Sequence, residues 1–218
     1  MKIDSSKQTF KLVLIAIFIA LSIIIGSFEV NYIPAPWLKI DFSEVVILIA
    51  INIIGADLAL IIIVLRSFIR YFITGGTNIP FPFYGELIAV MFSYCLIFLY
   101  SVIKDYLLKN KVKYAEIYTG ICVIVLISIF GFLVNFLLNV PAFSSAGKYF
   151  FLSDDFLIEY FNSSLRAYFI SIISIYLPFN LLKYLLVFIA FNSIYYSLKH
   201  VDFFKGLLLE NHHHHNMN

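Results

Sequence analysis

Polar side chains that can form hydrogen bonds occur in pairs inside the most apolar stretches of this sequence. The members of each pair are three or four positions apart: Arg66 and Arg70, Asn135 and Asn139, Asn180 and Lys183. On a helix, that spacing places both members on one face. A charge at the centre of a bilayer costs roughly 2.5–3.5 kcal/mol on insertion scales, so such groups usually face a cavity or a partner. The pairs therefore predict a hydrogen-bonding pocket.

The same residues do not form a recognisable catalytic arrangement. The sequence contains no glycine-rich phosphate loop and no HExxH or similar metal-ligand spacing. No combination of serine, histidine and acid lies within the apolar runs, so a hydrolase would lack its base. We therefore predict that the protein is not an enzyme and has no catalytic cofactor or metal.

The composition predicts that membrane helices position these polar residues. Of the 218 residues, 62% are hydrophobic and 13% are charged, and the mean hydropathy is +0.95. Soluble domains are about one-half apolar and about one-quarter charged. The apolar residues form continuous runs of membrane-spanning length, without the alternation of barrel strands. We predict an all-α integral membrane protein, and the net charge of +2 does not indicate nucleic-acid binding.

Six membrane-spanning helices are predicted, at 12–26, 44–54, 58–73, 82–103, 115–139 and 178–198. The stretch 45–72 is too long for one span and short for two. Lysine-rich segments precede the first span, fill 104–113 and follow the last span, and such segments are normally cytoplasmic. An even number of spans must then precede residue 104, so a turn at 55–57 divides the stretch. Both termini are predicted to be cytoplasmic.

The chain is predicted to contain one domain. Residues 1–203 form the six-helix membrane domain, and residues 204–218 form a polar tail. Residues 212–215 are all histidine, which we interpret as a tag remnant or a tolerated polar terminus, because no cluster of cysteine or acid accompanies them. The segment 140–177 is predicted as a long outer connection, in which 166–177 has the pattern of an additional helix.

With this topology, nearly all costly polar residues lie in the outer half of the bundle, and only Asn52 and Asp57 lie at an inner turn. The distribution predicts a pocket that is open to the outside and has an apolar inner floor. The alternative is that long side chains such as Arg70 extend to the lipid headgroups, although asparagine is too short to do so. Further candidates for the pocket wall lie at the outer ends of the spans or in the outer loop 27–43: Trp37, Phe42, Arg66 and Glu86.

The first span carries two small residues on one face. Ala16 and Ala20 are four positions apart, and such spacing allows helices to approach closely in lipid. The face is a candidate contact for another subunit, but it could equally pack inside this same bundle.

Several stretches resemble the substrate-capture (S) components of energy-coupling factor (ECF) vitamin importers, the riboflavin-specific members in particular. In chain order they are LKIDFSEV at 38–45, ITGG at 73–76, GELIA at 85–89, VNFLLNVPAF at 134–143 and PFNLLK at 178–183. Ala16 and Ala20 match the AxxxA signature of that family. The resemblance covers roughly residues 10–195 in order and spacing. Two stretches depart from it: the family's FGPxxG turn is IIGADLA here, and GELAN is GELIA.

The resemblance implies a riboflavin-binding subunit of the bacterial cell membrane. Such a subunit captures its substrate outside and releases it after tilting against a transmembrane coupling (T) subunit, while two separate ATPase subunits hydrolyse ATP. Carried over by position, Asn135, Asn180 and Lys183 would hydrogen-bond the flavin and Leu38 would cover it, and Ala16 and Ala20 would contact the coupling subunit. The alternatives are an S component for another vitamin, such as folate, pantothenate or pyridoxine, and, less favoured, a membrane scaffold or a small channel.

Overall fold

The computed structural model describes residues 5–75 and 81–201. Residues 1–4 and 76–80 lie outside the described residues, and so does the predicted polar tail at 204–218. The helices are α1 (Ser5–Gly26), α2 (Ser43–Ile54), α3 (Ala56–Thr74), α4 (Tyr84–Lys109), α5 (Ala115–Val134), α6 (Val140–Ser144), α7 (Asp154–Phe161) and α8 (Leu165–Leu198). A π-helical turn, Asn135–Asn139, joins α5 to α6. The strands are β1 (Val30–Tyr32) and β2 (Ala35–Ile40).

The described residues form a helical membrane bundle, with a helix at each of the six predicted spans. Four helical stretches are long and apolar enough to cross a bilayer: 8–26, 84–109, 115–144 and 165–198. At 12 residues, α2 is about 18 Å long, less than the roughly 30 Å of a bilayer core. Helix α3 is long enough but carries Asp57, Arg66 and Arg70.

A single residue separates α2 from α3. Gly55 ends α2 and caps α3, and its φ of 94° is one that a side chain would strain. The turn predicted at 55–57 is therefore present but shorter, since the helix resumes at Ala56.

The outer loop predicted at 27–43 contains a β-hairpin, which the all-α prediction did not include. Strands β1 and β2 pair antiparallel, with Val30 opposite Ile40 and Asn31 opposite Lys39. Ala35 and Ile40, the first and last residues of β2, are buried. The hairpin therefore packs onto the bundle, and we refer to this end of the bundle as the hairpin end.

The prediction that the last span begins at Pro178 is wrong. Helix α8 starts at Leu165, where the Ser164 hydroxyl caps it by accepting a hydrogen bond from the Ala167 amide at 3.3 Å. Pro178 lies inside the helix. A proline removes one backbone hydrogen bond, but membrane helices tolerate it where neighbouring groups compensate. Asn180 and Lys183 consequently lie near the middle of a 34-residue helix, and not in its first turns.

Apolar side chains fill the interior in two clusters. The larger cluster contains side chains from the first five helices and from α8. The smaller cluster lies at the hairpin end, where Phe156 and Tyr168 are fully buried. At the opposite end, Asn52 of α2 donates to the Tyr100 hydroxyl at 3.1 Å and accepts a hydrogen bond from Lys104. These bonds tie α2 to α4 and account for a polar residue that the sequence pattern left unexplained.

Candidate functional site

A cavity of about 280 Å³ opens at the hairpin end, between β2, the starts of α2 and α4, and the middle of α8. Six of the residues predicted for the pocket line it: Trp37, Leu38, Arg66, Asn135, Asn180 and Lys183. Two do not. Phe42 packs against the main apolar core, and Glu86 is buried behind the wall. The structure thus brings four of the predicted polar residues, Arg66, Asn135, Asn180 and Lys183, to one cavity.

Lys183 forms an ion pair with Asp41, whose Oδ2 lies 3.0 Å from the Lys183 Nζ. The carboxyl of Asp41 also accepts hydrogen bonds from the Ser43 amide, at 3.1 Å, and from the Ser43 hydroxyl. Burial by itself would raise the pKa of Asp41, but the Lys183 ammonium and the Ser43 hydroxyl outweigh it, so that the pKa lies well below its ordinary value. The sequence pattern did not single out Asp41.

Arg66 lies at the base of the cavity in a buried network. Its guanidinium donates to the Ser43 hydroxyl at 3.1 Å and to the Ser93 hydroxyl at 2.9 Å, and lies 3.5 Å from Glu44. Ser93 donates to the same Glu44 oxygen at 2.6 Å. Because Arg66 and Glu44 are 3% and 5% exposed, each charge depends on the other for compensation.

The remaining charges of the cavity wall are also paired. Arg70 donates to Glu86 at 3.0 Å, and Lys39 bonds Glu29 at the mouth. Every lysine and arginine that lines the cavity therefore has a carboxylate partner, and the site as a whole carries no excess charge.

The two asparagines of the site use their amide nitrogens on their own helices. The Asn180 Nδ2 donates to the Tyr176 carbonyl, and the Asn135 Nδ2 donates to the Gly131 carbonyl, each at 2.7 Å. Asn135 opens the π-helical turn and accepts a hydrogen bond from Asn139 at 3.1 Å. Turns of this kind occur frequently at functional sites because they redirect side chains within a helix. The Asn180 oxygen thus remains for a ligand, whereas the Asn135 oxygen already accepts one hydrogen bond and has a single acceptor position left.

Tyr184 and Glu44 supply two further polar groups that the sequence reasoning missed. Tyr184 is 1% exposed and lines the cavity, yet its hydroxyl makes no hydrogen bond within the part of the chain that the structure describes. Among the same residues, the Oε2 of Glu44 is buried without a partner. Buried polar groups are nearly always bonded, so each needs a ligand or a water. The i,i+4 spacing of Asn180 and Tyr184 was the available signal.

Aromatic side chains form much of the apolar part of the wall. Phe179 lines the cavity and packs against Tyr32 of the hairpin, with ring centroids 5.4 Å apart. Trp37 lies at the mouth and is 65% exposed. A planar ligand would thus have aromatic faces near the opening and polar groups deeper in.

The Ala16–Ala20 face does not pack within the bundle. Both alanines are exposed on α1, whereas Leu14, Ile15 and Phe18 of the same helix are buried. The alternative that this face serves internal packing is therefore wrong.

Comparisons with known proteins give a family for the sequence and a solved structure with the same fold. A sequence model described as "ECF transporter, substrate-specific component" matches residues 10–195. A solved structure, described as "Structure and mechanism of the S component of a bacterial ECF transporter", has the same fold with a TM-score of 0.59. The two chains are 18% identical over 88% of this chain and 96% of that chain. No curated protein matches the sequence.

Proposed function

Since the chain belongs to the substrate-specific components of ECF transporters, we propose that it binds riboflavin with high affinity and captures it from outside the bacterial cell for ATP-driven uptake. The family consists of transporter components that bind substrate, and not of enzymes. Riboflavin itself is proposed on the sequence resemblance and on the chemistry of the cavity.

The charge balance of the cavity is the observation that carries the proposal. Every cation in its wall is paired with a carboxylate of the same wall or behind it. An anionic ligand such as folate or pantothenate would have to displace one of these carboxylates or leave a buried charge without a partner, at a cost of several kcal/mol. Riboflavin is uncharged at neutral pH, with a planar ring system and a polyhydroxyl chain, so it needs hydrogen bonds and no counter-ion.

The cavity contains suitable groups for each part of such a ligand. We assign hydrogen bonds to Asn135, Asn180 and Lys183, in agreement with the sequence resemblance. Leu38 and Trp37 of β2 cover the ligand at the mouth. This is the usual division of ligand sites into apolar walls and a few placed polar groups.

Two predicted wall residues take other roles in this proposal. The guanidinium of Arg66 bonds Ser43, Ser93 and Glu44, so we assign it to the support of the cavity base. Glu86 accepts a hydrogen bond from the guanidinium of Arg70 and so holds that side chain in the cavity wall. Both shape the site without contacting the ligand.

The membrane arrangement belongs to the same proposal. We infer six crossings with both termini in the cytoplasm of a bacterial cell, where α2 and α3 cross as a short pair. The hairpin end then faces outward, and the cavity opens to the outside. In the assembled transporter, the exposed Ala16–Ala20 face contacts the transmembrane coupling subunit, and two ATPase subunits supply the energy.

Binding to the purified protein tests the proposal. The detergent-solubilised protein, stripped of bound ligand, would be titrated calorimetrically with riboflavin, folate, pantothenate and pyridoxine. We expect tight, one-to-one binding of riboflavin only, and a yellow protein when it is purified without stripping. Pyridoxine is uncharged, so it is the competitor that the charge balance does not exclude. Preferential binding of any of the other three vitamins would overturn the assignment.

A further inference from the structure

Two glycines of α5 face α8, three helical turns apart. A methyl group built on Gly120 would lie 3.3 Å from the ring of Phe188, a tight contact that a shift of the ring by a few tenths of an ångström would relieve. A methyl group built on Gly131 would lie 2.7, 2.8 and 2.9 Å from the Nδ2, Cγ and Oδ1 of Asn180. Distances below about 3 Å are not compatible with the present position of that amide. The absence of a side chain at Gly131 therefore allows the Asn180 amide to lie against α5.

The position of the Asn180 amide is fixed from the other side as well. Its Nδ2 donates to the Tyr176 carbonyl at 2.7 Å, and the residue is 3% exposed. Its Oδ1 has no hydrogen bond among the described residues, although Asn180 lines the cavity. The amide is thus held between the backbone of its own helix and the backbone of α5, with its oxygen left for another partner.

We propose that Gly131 is a positioning residue of the ligand site, because only glycine at this position lets the Asn180 amide adopt the orientation that presents its oxygen to the ligand. The identity of the ligand rests on the proposed function, but the contact between Gly131 and Asn180 does not. A methyl group at position 131 would push the amide away from α5 and break its hydrogen bond to Tyr176.

The consequence for binding follows from this displacement. We expect Gly131→Ala to weaken riboflavin binding about tenfold to a hundredfold, the range that corresponds to overpacking of a tight site. Asn180→Ala should weaken binding as well. In the double variant the methyl group has no amide to displace, so binding should be no weaker than in Asn180→Ala alone.

The experiment uses the full chain in detergent and five proteins: the parent, Gly131→Ala, Asn180→Ala, the double variant and Gly120→Ala. The last is the matched control, since it adds the same methyl group between the same two helices but away from the cavity. For each protein, the Kd for riboflavin and the Tm without ligand are measured. Gly131→Ala should lower the Tm when Asn180 is present and lower it much less in the Asn180→Ala background, and Gly120→Ala should leave the Kd unchanged.

Different failures point to different errors. If Gly131→Ala binds riboflavin like the parent, or lowers the Tm equally in both backgrounds, Gly131 is not a positioning residue. If Gly120→Ala weakens binding as much as Gly131→Ala, the effect comes from general packing between α5 and α8, and the inference is again wrong. If the parent protein does not bind riboflavin, the proposed ligand is wrong. The effect of Gly131→Ala on the Tm, with and without Asn180→Ala, then decides by itself whether Gly131 positions Asn180.

Discussion

Lys183 in the middle of α8 and Asp41, which lies between β2 and α2, are bonded at 3.0 Å, although 142 positions separate them in the chain. The bond joins the end of the hairpin to the longest helix and lies in the wall of the cavity. The side chains of Lys183 and Asp41 are 17% and 16% exposed, so both charges are largely removed from solvent. The pair therefore joins the hairpin end to α8 along one side of the cavity.

Replacement of Lys183 by alanine should weaken riboflavin binding by about 1–3 kcal/mol, because a ligand acceptor loses its donor and Asp41 loses its partner. Isothermal titration of the purified variant measures the loss. Lys199→Ala is the control: Lys199 directly follows the same helix and is paired with Glu116 at 2.8 Å, at the end of the bundle opposite the cavity. Its Kd should equal that of the parent. Unchanged binding in Lys183→Ala would remove this residue from the site.

The hydroxyl of Tyr184 should contribute to binding and not to folding, because it has no hydrogen-bond partner among the described residues. Tyr184→Phe is expected to weaken riboflavin binding by about 0.5–1.5 kcal/mol while the Tm of the ligand-free protein stays the same. Tyr100→Phe should give the opposite result, since that hydroxyl bonds Asn52 away from the cavity. A lower Tm with unchanged Kd for Tyr184→Phe would contradict this assignment.

The ion pair of Asp41 should persist in moderately acidic solution. The pKa of Asp41 in the folded chain lies below its ordinary value of 3.8, so its contribution to the free energy of unfolding is present above that value. The contribution is lost only as the pH falls through the lower, folded-state pKa. The Tm difference between the parent and Asp41→Asn should therefore be the same at about pH 7 and about pH 5. A difference that shrinks over this interval would show that burial raises the pKa of Asp41 above its ordinary value, and would contradict the lowered pKa.

Larger side chains on the Ala16–Ala20 face should abolish transport without affecting capture. Both alanines are exposed on α1, so leucine at either position costs the isolated bundle little. In cells that contain the complete transporter, uptake of radiolabelled riboflavin should fall, whereas the purified variant should bind riboflavin normally. Cys122→Leu is the control, as another small, exposed residue on a spanning helix. Normal uptake by the Ala16→Leu and Ala20→Leu variants would place the coupling subunit elsewhere.

Hydropathy located each long helix. In a bilayer the backbone N–H and C=O groups of an apolar run find no water, so the run forms a helix in which they bond one another. Hydropathy did not locate the start of α8. Pro178 has the pattern of a helix boundary in water, but in this bundle the helix predicted at 166–177 continues through it into the last span. The hairpin was missed for a related reason: β1 has three residues, β2 has six, and the loop contains prolines that usually indicate turns.

The site was predictable to the extent that local spacing defines it. Asn180 and Lys183 share a helix face, which the sequence alone indicates. Their partners are not local. The bond between Lys183 and Asp41, and the network of Arg66 with Glu44 and Ser93, depend on how separate helices pack. No pattern within a single segment contains that information.

The pairing of every charge in the cavity wall has an electrical consequence. Moving one elementary charge through a membrane potential of 100 mV changes its free energy by about 2.3 kcal/mol. When an uncharged ligand enters a site with no excess charge, no net charge moves through the membrane potential, so the potential does not change the free energy of binding. Capture at this cavity should therefore be electroneutral, and its affinity should be the same in an energised cell as in a depolarised one.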